Sequence, residues 1–312
     1  MSEKPTRTSH VCSLTEPQIQ QLRAELDAAN WQFDEAEHAY WRARREKTTI
    51  VAYRSGKVVF QGKGTADAVQ FILEPKILGE ARFGYEDILV EEEDPAQFEP
   101  HAGIDESGKG DFFGPLVIAA AAVTEATAKA LVQAGVMDSK RIKSDKRIAD
   151  LAGEVRKTLG DRWAVVPVGP DAYNRLYAKI GNVNRLLAWG HARALENLLE
   201  RAPDCPRALS DQFGNKETVR RALLERGRAI TLEQRTKAES DIAVAAASVL
   251  ARHEFVRRLK DLGESIGIEL PKGAGPPVRA AAGEILRRKG EAALRSVAKQ
   301  HFRTFAQVLR EA

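Results

Sequence analysis

Residues 103–118 read Gly103-Ile104-Asp105-Glu106-Ser107-Gly108-Lys109-Gly110-Asp111-Phe112-Phe113-Gly114-Pro115-Leu116-Val117-Ile118. A short apolar segment ends in two adjacent carboxylates, Asp105 and Glu106. A glycine-spaced loop with one lysine follows, and a second apolar strand begins after Gly114-Pro115. Adjacent carboxylates at a strand end repel each other unless something offsets their charge, and hard ions such as Mg²⁺ prefer carboxylate oxygen. The glycines let backbone come close to a ligand, and Lys109 puts a cation there. Acids suited to metal beside a phosphate-tolerant loop point to chemistry on a phosphodiester. Successive side chains of a strand point to opposite faces. Asp105 and Glu106 can therefore serve one site only if the strand has ended or bent at one of them.

Outward from this run, strands are expected over 102–106 and 115–123, then over 162–168, 206–211 and 228–232. Helices are expected over 125–134, 144–158, 183–201 and 215–226, with a long helix over 240–259 and further helices over 277–289 and 291–310. Strands alternating with helices argue for an α/β layer fold. Upstream lies a smaller α+β pattern. Thr15, Glu16 and Pro17 open a helix over 15–30 with Ile19, Leu22 and Leu26 as its apolar stripe. A hairpin is expected over 48–62 and a helix over 65–76. Residues 34–46, rich in Glu, Ala and Arg, stand where a plainer strand connection is expected. The acidic stretch with Glu91, Glu92, Glu93, Asp94 and Pro95 reads as a linker, giving domains 1–94 and 95–312.

Three further acids occupy promising places. Asp211 ends the apolar segment Ala208-Leu209-Ser210 and precedes a glycine turn; it could face a site at the sheet edge or merely cap a turn. Glu239 sits just before the small-residue helix Ile242-Ala243-Val244-Ala245, where the helix dipole favours negative charge. Asp241 competes for the same role. Lys140, in Asp138-Ser139-Lys140 before another helix, suits a backbone-phosphate contact or an ordinary surface turn.

The 312 residues are 43% hydrophobic and 29% charged, as in a soluble protein with a real core. Net charge is only +4, but the pI is about 9.0, and the basic residues gather at Arg42–Lys47 and Lys140–Arg147. That permits nucleic-acid binding without proving it. The two cysteines, Cys12 and Cys205, lack metal spacing and cannot form a disulfide framework, so a reducing cytoplasm is expected. No apolar stretch is long enough for a membrane span, and no apolar leader stands at the N-terminus.

The run at 103–115 resembles the signature of the type 2 ribonucleases H, Gly-x-Asp-Glu-x-Gly-(Arg/Lys/Thr)-Gly-x-x-x-Gly-Pro, the group of ribonucleases HII and HIII. The resemblance extends to Asp138-Ser139-Lys140. The HIII branch carries an N-terminal domain similar to half of the TATA-box binding protein. The hairpin Tyr53-Arg54-Ser55-Gly56-Lys57-Val58-Val59-Phe60-Gln61-Gly62 looks like that domain. Ala238-Glu239-Ser240, Leu270-Pro271-Lys272-Gly273-Ala274-Gly275 and Lys299-Gln300-His301-Phe302 also resemble HIII. The resemblance implies a ribonuclease H fold, a mixed five-stranded sheet flanked by helices. It implies metal-site acids Asp105, Glu106, Asp211 and Glu239 holding two Mg²⁺ or Mn²⁺ ions. It implies hydrolysis of the RNA strand of RNA/DNA hybrids to 5′-phosphate and 3′-hydroxyl ends, with Gly108, Lys109 and Gly110 reading the 2′-hydroxyl. Ser139, Lys140, Lys57 and Lys63 are the other expected substrate contacts, and a monomer is expected. The rivals are a ribonuclease HII-type enzyme cutting at single ribonucleotides, a nucleic-acid binding protein on a dead nuclease scaffold, and a small-molecule phosphatase.

Overall fold

A computed structural model of the chain describes residues 8–79, 95–211, 221–223, 225–236 and 238–311. The chain divides into two compact units, Met1–Glu93 and Asp94–Ala312. The acidic run at 91–94 and most of the expected helix over 215–226 lie outside the described residues.

In the first unit, Ser9–Ser13 (β1), Gln32–Asp34 (β2), Ala39–Arg45 (β3), Thr48–Tyr53 (β4) and Lys57–Gly62 (β5) form an antiparallel sheet in the order β1-β5-β4-β3-β2. Helix Glu16–Ala28 (α1) starts where Gln18 Oε1 accepts the Thr15 backbone N–H at 2.9 Å, a capping-box contact. Its Ile19, Leu22 and Leu26 pack with Trp41, Ile50, Phe60 and Leu73 in one core. The expected helix over 65–76 is Thr65–Ala68 (α2) continued by wider π-type turns over Val69–Leu78, with Pro75 inside. Residues 34–46 are not a plain connection: they hold the last residue of β2 and all of β3. Trp41 and Ala43 point into the core while Arg42 and Arg44 alternate with them on the other face.

The second unit is built on His101–Ser107 (β6), Leu116–Val123 (β7), Trp163–Val168 (β8), Arg207–Asp211 (β9) and Thr231–Arg235 (β10), in the order β10-β9-β6-β7-β8. β7 runs antiparallel to β6 and β8, whereas β6, β9 and β10 are mutually parallel. The sheet is therefore mixed and five-stranded, as expected. Helices Glu125–Gln133 (α3), Asp145–Leu159 (α4), Pro170–Ile180 (α5), Val183–Leu199 (α6), Glu225–Arg228 (α7), Ile242–Ile266 (α8), Pro276–Val297 (α9) and Arg303–Glu311 (α10) complete it. α5 has no counterpart in the sequence reading. β10 starts three residues later than expected, and the last two helices break differently: α9 passes through a kink at Gly290 and ends at Val297. α6 covers one sheet face, where Leu186, Leu187 and Leu195 pack with Ile104, Ile118 and Ala120. α8 covers the other. A Cβ at Gly103 would lie 2.1 Å from Ala243 C and Val244 N, so only glycine lets this helix start rest on β6.

Candidate metal and nucleic-acid site

Three parallel strands end at one edge of the sheet, and each delivers an acid there. Ile104 pairs with Ser210, so the next step along β6 and β9 brings Asp105 level with Asp211. Residues level on neighbouring parallel strands share a face, the one on which Gly103 meets α8. Beyond β10, a 3₁₀ turn, Ala238–Ser240, carries Glu239. Such edges, outside the carboxyl ends of parallel strands, are where α/β sheets hold ligands.

Contrary to the expectation that one site requires a break, β6 neither ends nor bends between Asp105 and Glu106, and the two carboxylates still lie within each other's field from opposite faces of the strand end. Pairing with β7 continues through Ser107–Val117. The two carboxylates consequently straddle the sheet edge. Asp105 is buried on the α8 side, while Glu106 lies on the α6 side with its Oε2 accepting a hydrogen bond from His191 Nε2 at 3.0 Å. Its Oε1 faces Lys109 Nζ at 3.7 Å. Burial, then the charge of Glu106, pushes the Asp105 carboxyl well above the usual range. Burial presses Glu106 the same way, but the His191 hydrogen bond, with the charges of His191, Lys109 and Lys140, outweighs it and keeps its carboxyl low. In the pair, Glu106 keeps the charge and Asp105 takes the proton.

Lys140 gathers the rest. Burial works against its ammonium, yet the fields of Asp105, Asp138, Glu239 and Asp211 together raise its pKa. This one lysine senses three of the four sequence-predicted acids, and Glu106 senses it in return. Its loop is locked from both sides. Ser139 N–H donates to Ser248 Oγ at 2.8 Å, Arg252 donates to the Ser139 carbonyl, and Asp138 Oδ1 accepts the Lys140 N–H at 3.1 Å. Among the described residues, no three His, Cys, Asp or Glu side chains already stand at metal-binding distances.

Asp241 is separated from Glu239 by its duties. It is 2% exposed, its Oδ1 accepts the Ala243 and Val244 N–H groups at 2.9 and 3.1 Å, and both oxygens lie 3.0 Å from His101 Nε2. It caps α8, and the half-buried Glu239 remains the acid at the edge.

The loop after β6 is shaped for close approach. Gly108 has φ +89°, and a Cβ there would sit 2.2 Å from the Pro115 carbonyl oxygen. At exposed Gly110, by contrast, a Cβ would meet nothing within 4 Å, so the fold itself does not demand glycine there. The loop is clamped from the far end of the chain by Lys299, a fully buried lysine. Its Nζ donates to the carbonyls of Asp111, Phe113 and Gly114 at 2.8, 3.3 and 2.8 Å. Burial pushes that ammonium down to about 7, with Asp111 opposing. Sequence reasoning noted Lys299 within a motif and passed over His191, Ser248 and Arg252. A lone histidine among Leu187, Ala188, Gly190 and Ala192 of a core helix was the available signal.

In the first unit, Lys57 and Lys63 are exposed as expected. Arg42 and Arg44 instead both meet Asp34, at 2.6 and 3.2 Å, which takes up part of the positive charge read there.

Comparison with known proteins adds the following. The profile described as Ribonuclease HII matches residues 102–305, and one described as Domain of unknown function (DUF3378) matches residues 9–78. Ribonuclease HIII of Chlamydia pneumoniae is 41% identical over 300 residues, covering 96% of this chain and 97% of that protein. The crystal structure of Bst-RNase HIII in complex with Mn²⁺ superposes with a TM-score of 0.65 at 28% identity, covering 98% of this chain and 99% of its own. The RNase HII of the Archaeoglobus fulgidus PCNA complex covers only 65% of this chain, with a TM-score of 0.55 at 29% identity.

Proposed function

Since the chain belongs to the ribonuclease HIII family, within the type 2 ribonucleases H, and is a ribonuclease H, we propose that Asp105, Glu106, Asp211 and Glu239 are its metal-site acids and that RNA/DNA hybrid is its substrate. The observation that carries this is the alignment of Asp105 with Asp211 at adjacent parallel strand ends, with Glu239 beyond the third strand and Lys140 in the field of all three. An all-carboxylate donor set suits Mg²⁺ or Mn²⁺. The neighbouring Asp105 and Glu106 carboxylates fit the same reading, since a cation held between them would relieve their repulsion. Asp105, Glu106, Asp211 and Glu239 would hold divalent ions, which would supply positive charge for activating water and for the departing 3′ oxygen.

The chain's own groups do the rest. Lys140 and Lys109 attract the phosphate backbone, with Ser139 holding the Lys140 loop in place. Gly108, Lys109 and Gly110 bring main-chain groups to the 2′-hydroxyl that marks RNA, and the space beside Gly110 is open. Lys57 and Lys63 extend the phosphate contacts from the first unit, which serves as a substrate-binding domain. The free cysteines suit a reducing cytoplasm, and the enzyme works as a monomer. Among the described residues, no helix is long and apolar enough to cross a membrane.

Relatives of the HIII branch span nearly the whole chain, whereas the HII structure covers only 65% of it and the Ribonuclease HII profile matches residues 102–305. That favours HIII over an HII-type enzyme. The deciding experiment compares cleavage of a uniform RNA/DNA hybrid and of a duplex with one embedded ribonucleotide, each with Mg²⁺, Mn²⁺ or EDTA. Metal-dependent cutting of the uniform hybrid is expected. Preference for the single ribonucleotide would support the HII-type reading, and no metal-dependent cutting of either would support a binding protein.

A further inference from the structure

Glu106 alone among the four acids approaches the edge from the α6 side, and the residue that meets it there comes from a core helix. His191 has a side chain only 2% exposed. Its neighbour Gly190 explains the reach: a Cβ at 190 would lie 2.6 Å from Ile118 Cδ1, so α6 sits close on β7 at this turn. An imidazole inside a helix of leucines and alanines is costly to bury unless it is hydrogen-bonded. The Nε2 contact of 3.0 Å to Glu106 Oε2 supplies such a bond.

We propose that His191 is a positioning residue for the metal site. Its Nε2–H fixes the Glu106 carboxylate so that the remaining oxygen lone pairs face the ion-binding edge. The inference rests on the metal-site reading above. Glu106 stands between two groups of different kind. Lys109 is on an exposed loop at 3.7 Å, where the contact is loose and solvent-screened. His191 is buried and held by its helix, so it alone can set the carboxylate's rotation. Groups that orient ligating side chains in this way typically govern metal affinity by 10- to 100-fold, that is about tenfold to a hundredfold when they are removed.

The test uses the full chain with His191→Leu and His191→Gln. Leucine keeps much of the volume and removes the donor; glutamine returns an N–H close to the position of Nε2. Mn²⁺ binding is measured by calorimetry without substrate, and kcat and KM are measured on hybrid. His191→Leu is expected to weaken Mn²⁺ binding by about 10- to 100-fold, with KM for hybrid little changed, and His191→Gln to recover most of the loss. Wild-type Mn²⁺ affinity in His191→Leu would overturn the proposal, as would equal losses in both variants, which would point to packing. Should His191→Leu fail to fold, nitrogen NMR of the unsubstituted protein decides. A protonated Nε2 supports the proposal and a bare Nε2 overturns it. Glu106→Gln separates the two readings. Intact Mn²⁺ binding in that variant would sink the metal-site assignment itself, whereas its loss beside an unaffected His191→Leu would sink only the role of His191.

Discussion

Asp105 holds the central conflict of the site. It is buried beside a second carboxylate, and its proton is retained well above the usual carboxylate range because burial and the Glu106 charge both oppose ionisation. An unfolded aspartate titrates near about 4. Between that value and the folded one, the native state binds the extra proton, so stability from this group is present below about pH 4 and is lost as pH rises. Asp105→Asn removes the loss. In EDTA, the variant should be more stable than wild type, by a margin that grows with pH by at most about 1.4 kcal/mol per unit. Urea unfolding from acid to neutral pH checks this, and a margin that shrinks with pH would mean that the proton sits elsewhere. The same variant should bind hybrid and fail to cut it. Turnover within about tenfold of wild type, roughly 1.4 kcal/mol of barrier, would remove Asp105 from the centre of the chemistry. A neighbouring contrast tests the fourth acid. Glu239→Gln should lose turnover and keep its stability. Asp241→Asn should instead lose about 1–2 kcal/mol, the worth of a helix cap, and cut far better than Glu239→Gln. Equal losses of turnover, or the reverse order, would show that Asp241 is the ligand.

At the scale of elements, the start of α8 is what binds chemistry to architecture. It rests on β6 through Gly103, is capped by Asp241, and follows directly on Glu239. Gly103→Ala would drive a methyl into the Ala243–Val244 backbone. It should cost about 3 kcal/mol, the upper end for overpacking, and reduce kcat by shifting Glu239. A urea midpoint equal to wild type would mean that α8 moves without penalty. This part of the fold was legible in the sequence because apolar runs ending in Asp105 and Asp211 specify strands buried on both faces, and the alanine-rich run specifies a close-packed helix. Elements whose evidence lay in partners were not. β3 hides its strand period behind Arg42 and Arg44, whose charges meet Asp34 across the sheet. α5 is the exception: Tyr173, Leu176, Tyr177 and Ile180 form a stripe at helical spacing against the core, opened by Pro170, so its evidence does lie in its own segment. A continuous helix over 291–310 is what local propensity asks for. Instead, residues 298–302 stay extended or turning because Ala298 bridges Phe113 and Lys299 clamps the loop carbonyls. In the site, residue types and places offered the candidate acids, and the family resemblance chose among them. Which face each acid takes, and that His191 meets Glu106, depended on register and helix seating that no single segment contains.

Over the whole molecule, the division of labour follows from two separate cores. Trp41, Ile50, Phe60 and the α1 leucines form one, and the residues around Ile104, Ile118 and α6 form the other. Each unit therefore has the apolar interior needed to fold on its own. All four proposed metal-site acids lie in the second unit, so the first unit's part in catalysis can only be grip or partnership. Its exposed Lys57 and Lys63 favour grip, although Asp34 holds back some of the charge of Arg42 and Arg44. Removing residues 1–94 should accordingly raise KM for hybrid and leave kcat changed much less. Affinity for a nucleic acid falls with salt in proportion to the phosphates contacted, with a slope of about 0.9 per contact on duplex DNA. The truncated protein should show a shallower slope by about that amount for each contact that the first unit makes. Lys57→Ala combined with Lys63→Ala in the full chain should reproduce part of the change. Steady-state kinetics over a range of salt concentrations measure both effects together. If KM and the salt slope of the truncated protein match those of the full chain, the first unit does not hold the substrate, and the surface bearing Lys57 and Lys63 must instead face another protein.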